Sequence, residues 1–85
     1  NCIINTSCTI DHGVKIGNNS HIAPGAVLAG NVKVGNNVFV GANSIIKENT
    51  CIGDNTIIGA GSVVLKNVRK NDIVAGNPSK RIGTL

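Results

Sequence analysis

Residues 16–52 read IGNNSHIAPGAVLAGNVKVGNNVFVGANSIIKENTCI, and their spacing decides the fold. An aliphatic residue returns every six positions at Ile16, Ile22, Leu28, Val34, Val40, Ile46 and Ile52. The same hexad extends outward to Ile4 and Ile10 on one side and to Ile58 and Val64 on the other. Four positions after each aliphatic stands a small or β-branched residue, from Cys8 and Val14 through Ser20, Ala26 and Ser44 to Ser62 and Val68. Three positions after it stands Asn or Gly at Gly13, Asn19, Gly25, Asn31, Asn37, Asn43, Asn49, Asn55, Gly61 and Asn67, with Ser7 the exception. Asn and Gly tolerate positive φ better than other residues. Each hexad therefore supplies one inward aliphatic, one left-handed turn residue and one corner filler.

A second period of 18 lies over the first, in Gly17-Asn18-Asn19, Gly35-Asn36-Asn37 and Gly53-Asp54-Asn55. Three hexads per coil make a triangular solenoid, with equivalent residues stacked about 4.8 Å apart. Gly or Asn at every sixth position excludes a helix. The chain is expected to be all-β, a parallel β-helix over residues 1–68, with about 3–68 forming just under four coils. Residues 69–85 leave the hexad and read as an irregular tail.

Composition agrees. The 85 residues hold one aromatic, Phe39, so the core must be an array of small aliphatics. Disorder is excluded by 41% hydrophobic against 14% charged residues. No apolar run is long enough for a membrane-spanning helix, and the N-terminus does not read as a signal peptide. The chain contains no methionine and reads as a processed or partial chain. The net charge of +4 gathers in the tail, at Lys66, Arg69, Lys70, Lys80 and Arg81. Without stacking aromatics this argues against nucleic acid and for a small phosphate-bearing ligand. Three cysteines without a CxxC spacing argue against a disulfide framework and fit a reducing cytoplasm.

The residue before each inward aliphatic points outward. Sorted by face, these give Thr9, Val27, Ile45 and Val63; His21, Phe39 and Ile57; and Lys15, Lys33, Cys51 and Arg69. Two faces are mostly apolar and one is basic. Apolar stripes of this length mark an interface, and the corner between them is expected to point at the axis of a homotrimer. Neither histidine holds an inward position. In such a trimer His12 of one protomer approaches His21 of the next. Gly30, one coil above His12, leaves space there for a general base to work. The plainer reading is a solvated imidazole. Cys2 and Cys8 fall on corner positions, and two histidines are too few for a zinc site.

INTSCTIDHGVKIG (residues 4–17), SHIAPGAVLAGNVKVG (20–35) and VVLKNVRKNDIVAGNPSKRI (63–82) together resemble the hexapeptide-repeat sugar acetyltransferases. That group includes sialic acid O-acetyltransferases and UDP-4-amino-sugar N-acetyltransferases. The resemblance implies a left-handed β-helix, a homotrimer and acetyl-CoA as cosubstrate, with no metal. It implies that His12 is the general base and that His21 contacts acetyl-CoA near the thioester. Ala42 and Ala60 would line the pantetheine arm, Lys80 and Arg81 would meet the CoA phosphates, and Asn5 would lie near a sugar or nucleotide-sugar acceptor. Members of the family place an acid after the catalytic His. Here that residue is Gly13, so Asp11 or a neighbouring protomer's acid is expected to serve. Members also carry an N-terminal nucleotide-binding subdomain, and this sequence starts inside the β-helix. Two other classes compete: a serine- or maltose-type hexapeptide acetyltransferase, and a non-catalytic structural solenoid.

Overall fold

The computed structural model describes residues 2–85. Eleven two-residue strands follow one another at six-residue spacing. They are β1 (Ile3–Ile4), β2 (Thr9–Ile10), β3 (Lys15–Ile16), β4 (His21–Ile22), β5 (Val27–Leu28), β6 (Lys33–Val34), β7 (Phe39–Val40), β8 (Ile45–Ile46), β9 (Cys51–Ile52), β10 (Ile57–Ile58) and β11 (Val63–Val64). Two longer strands close the chain, β12 (Asp72–Ala75) and β13 (Lys80–Thr84). The first eleven stack as three parallel sheets. Face 1 runs β1-β4-β7-β10, face 2 runs β2-β5-β8-β11, and face 3 runs β3-β6-β9. The three outward columns are those the hexad count assigns, up to Ile57, Val63 and Cys51.

The core is the column of inward aliphatics. Ile22, Leu28, Val40, Ile46, Ile58 and Val64 are fully buried, and Val34 and Ile52 nearly so. Each buried side chain of this size contributes about 1.5–3 kcal/mol. Backbone bonds repeat from coil to coil, as in Lys15 N–H to Val32 O (3.0 Å) and Lys33 N–H to Thr50 O (3.0 Å). Corner hydroxyls complete the ladder. Ser20 Oγ donates to Gly35 O (2.8 Å) and accepts from Val38 N (3.1 Å). Ser44 Oγ bonds Gly59 O and Ser62 N in the same way. The thiols of Cys2 and Cys8 hold equivalent corners, donating to Gly17 O (2.8 Å) and Ala23 O (3.0 Å).

Nine of the ten expected turn residues have positive φ, between 57° and 76°. Ser7 adopts it too, at 62°, because its place in the coil demands it. Asn67 does not, and the reason lies in a register shift. The hexad would put Lys70 inside, where a charge cannot be left unpaired. Val68 takes the inward place instead and pairs with Ile52. Asn67 then caps Cys51, its Oδ1 accepting from Cys51 N at 2.9 Å. Asn71 supplies the left-handed turn at φ 64°. Ile73 pairs with Ile57 only 16 residues earlier, and Val74 covers Ile58. Arg69 consequently does not stand above Cys51, and Val68 is not a corner residue.

The tail is not irregular. β12 adds to face 1 in parallel, and β13 folds back on β12 antiparallel, with Val74 opposite Arg81 and Ala75 opposite Lys80.

Coil stacking sets what each glycine tolerates. A Cβ on Gly41 would lie 2.5 Å from Ala60 N and 2.7 Å from Ile58 O. A Cβ on Gly30 would meet only His12 O, at 3.8 Å. Gly41→Ala should cost about 1–3 kcal/mol through overpacking, and Gly30→Ala less than about 0.5 kcal/mol. Chemical denaturation of both variants checks the contrast. Ser7→Asn should raise the melting temperature, because Asn tolerates the left-handed region better than Ser.

Candidate active site

His12 lies in the turn after β2, at the corner between faces 2 and 3. Its side chain is 89% exposed. Asp11 holds this turn, its Oδ1 accepting the His12 backbone N–H at 2.7 Å. The same oxygen lies 3.7 Å from His12 Nδ1. The acid beside the imidazole is thus Asp11, the residue before it in sequence. With Asp11 on the Nδ1 side, Nε2 is left to meet a ligand.

One coil up the same corner is Gly30. His12 O accepts from Asn31 N at 3.1 Å, which fixes the two turns against each other. The Gly30 N–H has no hydrogen-bond partner among the described residues, and the space beside Gly30 is open. An exposed imidazole and a backbone N–H without a partner among the described residues therefore share one corner in successive coils, with open space beside Gly30 as a notch.

His21 is elsewhere. It projects from β4 on face 1, half-buried between Ile3 and Phe39. The Phe39 ring meets it edge-to-face, with centroids 5.2 Å apart at 61°. The register of 18 residues already placed Phe39 over His21, but the ring contact itself could not be read from spacing. Within one protomer the whole of face 3 separates His12 from His21.

Asn5, Ala42 and Ala60 share the corner between faces 1 and 2. Asn5 N–H donates to Ile22 O (2.9 Å), and its Oδ1 caps Thr6 N (2.8 Å). Ala42 and Ala60 stack directly, with Gly61 N–H donating to Ala42 O at 2.8 Å, and Ala60 is exposed. This is also the corner expected on the trimer axis. A corner on the axis lies far from the outer corners where His12 sits, so these alanines cannot serve both the axis and a ligand at His12.

Lys80 and Arg81, paired in the sequence reading, are separated by the alternation of β13. Lys80 lines a hollow of about 300 Å³ with Leu65, Lys66, Pro78 and Ser79. Arg81 lines an adjoining one of about 360 Å³, which shares Lys66 and Ser79 with the first, and its Nε lies 3.9 Å from Asp72 Oδ1. Asp72 is the one buried charged residue of the described chain, and the hexad count gave no sign of it. No cluster of three or more metal-ligating side chains occurs among the described residues.

If Phe39 fixes the His21 ring, Phe39→Leu should move the ring-proton resonances of His21 and leave those of His12 in place. A two-dimensional NMR spectrum of the variant reads this directly.

Comparison with known proteins places these observations in a family. Residues 1–30 and 31–66 match the family described as bacterial transferase hexapeptide (six repeats). Among curated protein sequences none matches. Solved structures do. The acetyltransferase domain of PglB from Neisseria gonorrhoeae FA1090, in complex with acetyl coenzyme A, is 34% identical with a TM-score of 0.94, covering 95% of this chain and 40% of that one. A serine acetyltransferase in complex with CoA is 30% identical with a TM-score of 0.90, covering 95% and 37%. A perosamine N-acetyltransferase mutant from Caulobacter crescentus, in complex with CoA and GDP-perosamine, is 25% identical with a TM-score of 0.77, covering 96% and 53%. The chain thus spans about half the length of these proteins or less. Its repeat, its stacked coils and these matches together show that it belongs to the bacterial transferase hexapeptide-repeat family.

Proposed function

We propose that the chain is the catalytic β-helix of an acetyl-CoA-dependent acetyltransferase that acts on an amine or hydroxyl of a sugar or nucleotide-sugar acceptor. The observation that carries this reading is the notch at the second and third faces' shared corner. It joins His12, with Asp11 on its Nδ1 side, to the unpartnered Gly30 N–H. The relatives with acetyl-CoA or CoA bound support the donor, and the relative with GDP-perosamine supports a sugar acceptor. The serine acetyltransferase match keeps a serine hydroxyl as the second reading of the acceptor.

The chemistry follows from the groups at the notch. His12 Nε2 takes the proton of the acceptor as its nitrogen or oxygen attacks the thioester carbonyl. Asp11 stabilises the imidazolium that forms. The Gly30 N–H donates to the oxyanion of the tetrahedral intermediate. Collapse breaks the C–S bond, the acetyl group stays on the acceptor, and the imidazolium proton goes to the departing CoA thiolate. No acyl-enzyme is needed.

A homotrimer in the cytoplasm completes the proposal. One ligand touches His12 of one protomer together with His21, Ala42 and Ala60 of the next only if face 3 of the first lies against face 1 of the second. That arrangement puts the Asn18–Asn36–Asp54 corner on the axis, in place of the corner between the two apolar faces. It also leaves face 2 on the outside. Lys80 and Arg81, whose hollows adjoin at the C-terminal end, would meet the CoA phosphates.

Four variants test this reading. His12→Ala should lower turnover by at least about 100-fold and leave acetyl-CoA affinity within a factor of about two by calorimetry. An equal loss of affinity would contradict the base role. Gly30→Val fills the notch without touching the ladder, and should abolish turnover while the melting temperature holds. Ile45→Asp on face 2 should leave the trimeric mass unchanged in light scattering, whereas Phe39→Asp on face 1 should dissociate it. Dissociation by Ile45→Asp would return Ala42 and Ala60 to the axis and remove them from the ligand.

A further inference from the structure

Face 3 carries two cations that nothing on the chain offsets. Lys15 and Lys33 stand in register on β3 and β6, and both are exposed. Like charges directly opposite on neighbouring strands repel. The ion pairs among the described residues are His12–Asp11, Lys47–Glu48 and Arg81–Asp72, and none of them involves Lys15, Lys33 or His21. Face 1 carries the complementary feature. Phe39, the one aromatic residue of the chain, is 42% exposed, so its edge-to-face contact with His21 leaves part of the ring open. An aromatic face attracts an ammonium group within about 6 Å of its centroid.

We propose that the lysines of face 3 meet the His21–Phe39 pair of a second copy of this chain, and that protonation of His21 opens this contact. The inference rests on the homotrimer proposed above, with face 3 of one protomer against face 1 of the next. A threefold axis along the solenoid holds equivalent coils at one height. Lys15 precedes His21 by six residues, as Lys33 precedes Phe39. Six residues are one third of a coil, about 1.6 Å of height where coils lie about 4.8 Å apart. Lys33 of one protomer therefore comes to Phe39 of its neighbour, and Lys15 to His21. Sheets packed face to face lie about 10 Å apart, a gap that a lysine from one side and a ring from the other fill. With His21 neutral, the two cations lie on an aromatic surface. With His21 protonated, a third positive charge faces them at every interface. Its own chain gives no relief, because β1 presents Ile3 to His21 and β7 presents Phe39, and neither side chain titrates. Histidine changes charge between about pH 5 and 8. The separated protomer accepts this proton more readily than the trimer, so assembly weakens as the pH falls. Acid thus takes apart a site that needs His12 of one protomer and Ala42 and Ala60 of the next.

Light scattering over a dilution series, at about pH 8 and about pH 5.5 and at constant ionic strength, tests the contact. The chain should be a trimer at the higher pH, and its half-dissociation concentration should rise at least about tenfold at the lower. His21→Gln, uncharged at both, should hold its trimer equally well at both. Lys15→Gln should keep the trimer and lose most of the pH dependence. Lys33→Gln should raise the half-dissociation concentration at least about threefold at the higher pH, through the lost cation–π contact. Both lysines are exposed and hold no part of the core, so these variants should fold. A trimer indifferent to pH would overturn the switch and leave the acetyltransferase reading standing. So would a pH dependence that survives His21→Gln or Lys15→Gln. An undiminished trimer in Lys33→Gln would overturn the pairing with Phe39. A monomer at the higher pH would overturn both this contact and the homotrimer, while acetyl-CoA calorimetry still decides the donor reading by itself.

Discussion

Everything in this molecule depends on one coil lying flat on the next. The inward aliphatic of each hexad is buried only because the coil above and the coil below present an aliphatic at the same place. The same stacking pairs the backbone of each strand from β1 to β8 with the strand 18 residues on. Hydrophobic burial and backbone satisfaction are therefore one requirement here, met by one repeat. Where stacking stops the core opens: Ile4 is 52% exposed in the first coil, and its counterpart Ile22 in the second is fully buried.

That requirement leaves the corners and outer faces free to vary, and the candidate site lies there. His12 and Gly30 occupy the same corner in successive coils. The stacking fixes their separation before any substrate arrives, which is what a preorganised site needs. Asp11 is held by the turn it caps, so the acid beside the imidazole costs the fold nothing further. The C-terminal hollow has a different origin. It comes from the one place where the repeat breaks, because Lys70 cannot be buried.

The periodic part of the structure was legible in the sequence. Strand positions, inward residues, outward columns up to Cys51 and most left-handed turns follow from counting by six, because each coil repeats the same backbone. What counting missed is what the repeat does not govern. The slip at Val68 depends on the cost of burying Lys70. The sides taken by Lys80 and Arg81 depend on the register of β13 on β12. The Asp11–His12 and His21–Phe39 contacts depend on side-chain direction, which spacing alone does not give. For the candidate site, the corner that His12 occupies and the emptiness at Gly30 were readable. Counting also puts Ala42 and Ala60 at the corner between the two apolar faces, so the conflict over that corner was legible as well.

The central claim is that one acetyl-CoA spans two protomers, with its thioester at the His12–Gly30 notch. A crystal structure of the chain with acetyl-CoA tests this most directly. The account predicts the thioester carbonyl oxygen within hydrogen-bonding distance of Gly30 N–H of one protomer, with the pantetheine arm along Ala42 and Ala60 of its neighbour. A thioester bound away from His12, or an arm running along Ile45 and Val63 of a single protomer, would contradict it.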